Sequence, residues 1–311
     1  MYDLIGDIHG HADELVELLE AMGYQRREGV YRHKSRTAVF VGDFIDRGRQ
    51  IRRVLDIARA MCESHAAVAV IGNHEFNALA FHTPHPNQPG KFLRDHSEKN
   101  FKQHSSTLQQ VPESELADHL EWFRRLPIWL ELDGVRVVHA CWNPKQLGVI
   151  ETALREFGGL STEFLLQATD RSSELFQAVD EVVKGKEIEL PNGISFLDKD
   201  GHARSALRIQ WYRPPENETV RSYALMSDDS LPDDSLPNSA FGDVMPYPAD
   251  APPVFFGHYW LRAQRPTRLA PNVACLDYSV AKSGCLCAYR WDGEPEIDDA
   301  KFVTVPARHH V

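Results

Sequence analysis

The first eighty residues alternate strand-like apolar runs with helix-like amphipathic stretches, and each run ends in a glycine followed by acidic, amide or imidazole side chains. Tyr2–Ile5 leads into Gly6-Asp7-Ile8-His9-Gly10. Residues 37–41 lead into Gly42-Asp43-Phe44-Ile45-Asp46-Arg47-Gly48, and residues 66–71 into Gly72-Asn73-His74-Glu75. Between the runs, Leu15, Leu18, Leu19 and Met22 recur at helical spacing, and Gly23 stands where that helix should stop. Ile51, Val54, Leu55, Ala58 and Met61 stripe a second helix, and a third is expected from Asn73 onward. Strand-helix-strand-helix-strand predicts an α/β sheet, with any ligand site at the C-terminal ends of the strands.

The polar clusters suggest chemistry. A glycine just before each polar residue lets backbone and ligand approach closely. Aspartate and histidine two apart, joined by further Asp, Asn and His from neighbouring strands, form a donor set suited to borderline or hard divalent metals. Each cluster has a plainer reading on its own. Asp-x-His-Gly or Asn-His-Glu can cap a helix, and Asp-Arg-Gly can be a surface ion pair. All three in order, each at a strand exit, make coincidence a poor account.

Further along, residues 82–90 are rich in Pro and His and break regular structure, and a helical pattern resumes over 113–126. His82, His85, His96 and His104 lie in polar connecting segments and read as solvated surface histidines. Residues 135–139 form another strand candidate, and 145–186 are helical and amphipathic, anchored by Leu154, Phe157, Phe164, Leu165, Leu175 and Val179. Residues 227–253 are rich in Asp, Ser and Pro and double the stretch Asp-Asp-Ser-Leu-Pro at 228–232 and 233–237, which reads as a mobile acidic lid or surface loop. Strand signals return at Val254–Phe256, 273–276 and Cys285–Trp291, so the C-terminal part is expected to rejoin the core.

A chain of 311 residues with 42% apolar and 25% charged residues can bury a sizeable core. Its net charge of −11 disfavours wrapping a nucleic-acid duplex, although bound metal ions can still make a local phosphate site. No run of eighteen apolar residues predicts a membrane span, and the opening residues lack the basic start and longer apolar stretch of a signal peptide. Five cysteines, an odd number, read as reduced thiols in a cytoplasmic protein, with Cys285 and Cys287 buried on one strand rather than binding metal. His309 and His310 read as tail or tag.

The ordered clusters resemble the signature blocks of calcineurin-like metallophosphoesterases, in particular the phosphoprotein-phosphatase branch, which also contains bacterial diadenosine tetraphosphatases. Val137-Val138-His139-Ala140, Phe255-Phe256-Gly257-His258 and Leu276-Asp277-Tyr278-Ser279 fit the later blocks. The resemblance implies an αββα fold, a sandwich of mixed sheets flanked by helices. It also implies one domain over 1–311 with residues 145–253 as an inserted, mostly helical and acidic-loop cap. It further implies two divalent ions, manganese foremost with iron, zinc or nickel as alternatives, which activate water to attack phosphorus. Asp7 and His9 would bind one ion, Asn73, His139 and His258 mainly the other, and Asp43 would bridge them. His74 would act as general acid oriented by Asp46, Arg47 would grip phosphate oxygens, and Arg208 would contact substrate phosphate. Glu75 is expected to brace the backbone. Trp142, Tyr278-Ser279 and Ile71 depart from the family pattern without removing a ligand, and bear on the substrate. A small nucleotide such as a dinucleoside polyphosphate and a Ser/Thr phosphoprotein are the two substrate readings. A metal-binding regulatory module without turnover is the reading from outside enzymology.

Overall fold

The computed structural model describes residues 1–197, 203–226, 231–242 and 244–308, with the backbone alone of Asn192 and Leu197. Strand β1 (Tyr2–Ile5) is followed by helix α1 (Ala12–Ala21), the hairpin of β2 (Gln25–Arg27) and β3 (Val30–Arg32), strand β4 (Thr37–Phe40), helix α2 (Ile51–Glu63), strand β5 (Ala67–Ala69) and helix α3 (Asn73–His82). The two apolar stripes are the buried faces of α1 and α2, and Gly23 follows the end of α1 with φ +89°.

Helices α4 (Glu98–Gln110) and α5 (Glu113–Phe123) come next, then strands β6 (Trp129–Leu132) and β7 (Val135–Val138). Helices α6 (Pro144–Phe157), α7 (Thr162–Thr169) and α8 (Glu174–Lys184) fill the expected amphipathic region. Four short strands follow, β8 (Glu187–Glu189), β9 (Phe196–Leu197), β10 (Ala203–Arg204) and β11 (Ala206–Arg208), with helix α9 (Val220–Tyr223). The chain closes with β12 (Val254–Phe256), β13 (Val273–Cys275), β14 (Asp277–Tyr278), β15 (Cys285–Trp291) and β16 (Phe302–Pro306).

Among the described residues, one sheet of six strands runs β14-β15-β1-β4-β5 with β16 on β15, and a sheet of four runs β13-β12-β7-β6. In the first, β1, β4 and β5 are parallel; in the second, β7, β12 and β13 are. Residue alternation places two layers of core. Leu4, Val39, Val41 and Val70 of the first sheet share a cluster with Val135, Val137, Phe255 and Ala274 of the second. Their neighbours Ile5, Ala38, Phe40, Val138, Val254 and Phe256 belong instead to the cluster that holds the helix stripes. Two sheets face to face with helices outside is the αββα arrangement expected from the sequence, and all six parallel strands point their C-terminal ends to one edge.

The stretch 145–253 divides in two. Leu147, Ile150, Phe164, Leu165, Val179, Val182 and Val183 of α6–α8 join the main cluster, as a helical layer on the second sheet. From β8 onward a separate cluster forms around Ile188, Leu207, Ile209, Val220 and Tyr223. The described part of the acidic loop is pinned to it: both leucines of the doubled motif, Leu231 and Leu236, are buried, and the Leu231 carbonyl accepts from the Arg221 guanidinium at 2.7 Å. Residues 228–230 of that motif, like His309 and His310, lie outside the described residues. No helix among the described residues is long and apolar enough to cross a membrane.

Candidate metal centre

The six expected ligands come from the strand ends of both sheets and are all buried. Asp7 and His9 follow β1, Asp43 follows β4, and Asn73 opens α3 after β5. From the second sheet, His139 follows β7 and His258 follows β12. Asp43 stands between the two groups. Its Oδ2 lies 3.4 Å from His9 Nε2, and its Oδ1 lies 3.5 Å from His139 Nε2. Asn73 Oδ1 lies 3.1 Å from His139 Nε2 and 2.7 Å from His258 Nδ1. Asp7 Oδ2 accepts the His258 backbone N–H at 2.9 Å, a contact across 251 positions of sequence.

Hydrogen bonds on the far side of two rings fix which nitrogens face inward. His9 Nδ1 donates to the Ile45 carbonyl at 2.9 Å, and His139 Nδ1 to the Val41 carbonyl at 2.7 Å. Their Nε2 atoms therefore face Asp43, and that of His139 also Asn73, whose side-chain oxygens are acceptors themselves. Acceptors converging in a buried space need a cation between them. Asp7 Oδ1 and His9 Nε2 are buried without a hydrogen-bond partner, which is the position of atoms kept for metal. Ligand atoms of His9, Asp43 and His74 lie within 4.8 Å of one another, as do those of Asp43, His139 and His258. The first triplet includes His74 where Asp7 was expected. The donor set, carboxylate and amide oxygen with imidazole nitrogen, suits divalent transition metals.

The electrostatics fit the same reading. Burial, then repulsion from Asp277 and Asp43, raises the Asp7 carboxyl well above the usual range. Burial also works against charge on Asp43, but His139, His74 and His9 outweigh it and hold that carboxyl well below its usual range. His139 resists burial through Asp43 and is raised to about 10, whereas His9 is lowered by burial to about 3. Positive charge is thus drawn to the Asp43–His139 side, and a metal ion bound there would displace that proton.

The backbone is forced to serve this arrangement. His9, Asp43, Asp46, Arg47 and His258 have φ between 45° and 75°, a region that non-glycine residues seldom occupy. The first two loops hold one another there: Ile8 N and His9 N donate to the Asp43 carbonyl at 3.1 and 2.8 Å, and Gly48 N donates to the His9 carbonyl at 2.9 Å. A Cβ at Gly72 would strike Asp43 Oδ1, and one at Gly257 would strike Asp7 Oδ1, so only glycine fits at either position. Glu75 braces the loops as expected, accepting the N–H groups of Asp43, Phe44, Ile45 and Gly72 at 2.8 to 3.3 Å.

His74 Nδ1 meets Asp46 Oδ2 at 2.5 Å, and both residues are buried. Burial opposes charge on His74, but Asp43 and Asp46 raise its pKa above the ordinary imidazole value. An imidazole so held can give up a proton from Nε2.

Residues 2–234 match the family of calcineurin-like phosphoesterases. The chain belongs to that family. Its buried His/Asp groups fit the dinuclear metal centre of that family. Among curated proteins it resembles the asymmetrical bis(5'-nucleosyl)-tetraphosphatase of Oceanobacillus iheyensis, 31% identical over 140 residues, 44% of this chain and 54% of that protein. The symmetrical bis(5'-nucleosyl)-tetraphosphatase of Hamiltonella defensa is 31% identical over 144 residues, 46% of this chain and 44% of that protein. The chain thus spans about half the length of the curated relatives it matches. A cold-active protein tyrosine phosphatase of known structure superposes at a TM-score of 0.49 with 17% identity, over 95% of this chain and 78% of that one.

This member of the family has features that the sequence did not reveal. His104, expected on the surface, is buried, and its Nδ1 donates to Asp46 Oδ1 at 2.8 Å. Thr107, one turn later on α4, donates to the same oxygen at 2.6 Å and accepts the Asp46 backbone N–H at 3.0 Å. The whole of α4 carries no apolar stripe, so periodicity gave no sign of it; its buried residues are His104 and Thr107. His82 is half-buried, with Nε2 at 3.2 Å from His104 Nε2. Asp277 is a further buried carboxylate, accepting N–H groups from Trp260 and Ser279 at 2.7 and 3.0 Å. Arg47 is exposed, with its guanidinium 4.2 Å from the centre of the Trp260 ring. Arg208 is also exposed and pairs with Glu187 at 3.0 Å; its charge adds to burial in lowering His258.

Proposed function

We propose that this chain hydrolyses phosphoester or phosphoanhydride bonds with two divalent ions, one held by Asp7, His9 and Asp43 and the other by Asp43, Asn73, His139 and His258. The observation that carries this reading is the position of Asp43, whose two oxygens face histidines from opposite sheets at 3.4 and 3.5 Å. Ions held there would acidify a water molecule and offset charge on the phosphoryl oxygens. His74 protonates the leaving oxygen, Asp46 orients it, and Arg47 presents its guanidinium fork to phosphate oxygens. Arg208 stands on the far side, toward His258, as a second contact for an anionic substrate. The chain acts as one phosphoesterase unit in which part of 145–253 covers the site. Support for this comes from Trp211, whose indole N–H donates to the Ala140 carbonyl beside His139 at 3.1 Å.

The substrate reading is a small nucleotide such as a dinucleoside polyphosphate, supported by the tetraphosphatase names of the curated relatives. The test is side-by-side turnover of diadenosine tetraphosphate and a phosphoserine peptide with added manganese, before and after EDTA, in the parent chain and Asp43→Ala. Manganese-dependent cleavage of the tetraphosphate, lost in the variant, is expected. Faster cleavage of the peptide would transfer the assignment to phosphoproteins. Undiminished turnover in EDTA would refute the metal mechanism, and manganese binding with no turnover would make the chain a regulatory module.

A further inference from the structure

Acidic residues outnumber basic ones in this chain, 45 to 34, so carboxylates to pair with an arginine are plentiful. Around the start of α2 the arginines are otherwise matched. Arg52 pairs with Glu115 and Arg53 with Asp13, while Arg308 pairs with Glu17. Two are not. Arg49 is exposed and makes no hydrogen bond, ion pair or ring contact among the described residues. Among the described residues Arg47 makes no hydrogen bond or ion pair, and it lies over the Trp260 ring, against which Lys282 Nζ also lies, 4.3 Å from the ring centre.

Arg47 and Arg49 border one cavity of about 260 Å³, together with Gly10, His11, Gln50 and Ser283. Gly10 directly follows the candidate ligand His9, and Arg47 feels the charges of Asp43, Asp46, Asp277 and Asp7. The cavity therefore begins where the metal centre ends. Its volume is below the roughly 300–1,000 Å³ of sites that enclose drug-sized molecules. The remaining lining is polar or glycine except Ala281, with no apolar wall for a nucleobase or peptide side chain. Two unpaired guanidinium groups beside a phosphoryl-transfer site, in a space without apolar walls, match a chain of phosphates.

We propose that this cavity is a second phosphate subsite, in which Arg49, with Arg47 at its inner edge, holds the phosphates that lie beyond the reacting one. The inference rests on the phosphoesterase reading and narrows its substrates to polyphosphate chains over isolated monoesters. No bond is made or broken in the subsite. It contributes binding, and therefore KM.

The test uses the full chain with manganese in excess of total phosphate, as parent, Arg49→Gln and Arg49→Lys. In Arg49→Gln the KM for diadenosine tetraphosphate, relative to that for p-nitrophenyl phosphate, should rise roughly tenfold, as expected for one lost charge-assisted hydrogen bond. Arg49→Lys should recover part of that ratio. Inorganic tripolyphosphate should inhibit p-nitrophenyl phosphate hydrolysis at least tenfold better than orthophosphate in the parent, and Arg49→Gln should lose the difference. An unchanged KM ratio, or tripolyphosphate no better than orthophosphate while the parent turns over p-nitrophenyl phosphate, would overturn the subsite and leave the phosphoesterase standing. No turnover of any phosphate would remove the phosphoesterase reading itself.

Discussion

Replacing Thr107 by valine keeps the shape of the side chain and removes one oxygen. That oxygen donates to Asp46 Oδ1 at 2.6 Å and accepts the Asp46 N–H at 3.0 Å. Thr107 and Asp46 are buried, so the freed N–H finds no water, at a cost of about 1–3 kcal/mol, and a hydrogen bond to a charged group is lost as well. Together these give a loss of roughly 2–4 kcal/mol. With about 2.1 cal/mol/K of unfolding entropy per residue over 311 residues, Tm should fall by about 3–6 °C. In catalysis, Asp46 would keep His104 and His74 as partners but lose the bond that fixes its carboxylate plane. The reach of His74 to the leaving oxygen should suffer. We expect kcat to fall about tenfold for an alkyl phosphate, which needs a proton on leaving, and much less for p-nitrophenyl phosphate, which does not. Steady-state kinetics on both esters, with calorimetric melting, checks this. Thr107→Ser should bring kcat back to within about threefold of the parent and recover most of the lost Tm, because it returns the hydroxyl. Equal losses on the two esters, or a serine variant as poor as valine, would refute the idea that α4 positions the acid.

Two further outcomes follow from the geometry. Gly257→Ala places a methyl group against the Asp7 carboxylate, so manganese affinity measured by titration calorimetry should drop about 10–100-fold with the fold intact by circular dichroism; unchanged affinity would count against Asp7 as a ligand. His82 is lowered by burial, then by His104, to about 4, so between the ordinary imidazole value of 6.5 and that figure the unfolded chain binds more protons than the native one. Its contribution to stability is therefore complete above pH 6.5 and lost as pH falls toward 4, and His82→Gln should flatten that part of a stability–pH curve from denaturant melts.

The parts of this molecule legible from the sequence are those where one residue pattern serves one purpose. Leu15, Leu18 and Leu19, or Ile51, Val54 and Leu55, repeat at helical spacing because a single sheet face buries them. The three glycine-led clusters are legible because strand, turn and ligand are contiguous in the chain. His139 and His258 follow strands as well, but only the family resemblance drew them toward Asp7 and Asp43, since nothing local links positions so far apart. Helix α4 was missed for a physical reason. It docks through His104, Thr107 and Gln110, which bond to Asp46, to the Ile51 N–H and to the Gly48 carbonyl, and polar docking leaves no periodic trace. Asp277 is silent for a similar reason: its partners are backbone N–H groups, which any sequence supplies.

Strand β1 lies between β4 on one side and β15 on the other, with Tyr2 opposite Trp291 and Ile5 opposite Ala288. Strand β1 thus waits for β15, far later in the chain, before its sheet is complete, and Asp7 waits for His258 before its carboxylate accepts that N–H. A nascent or C-terminally clipped chain would carry the first three motif clusters and still lack the proposed metal centre. Synthesis of the protein and arming of its chemistry are, by the order of its strands, separate events.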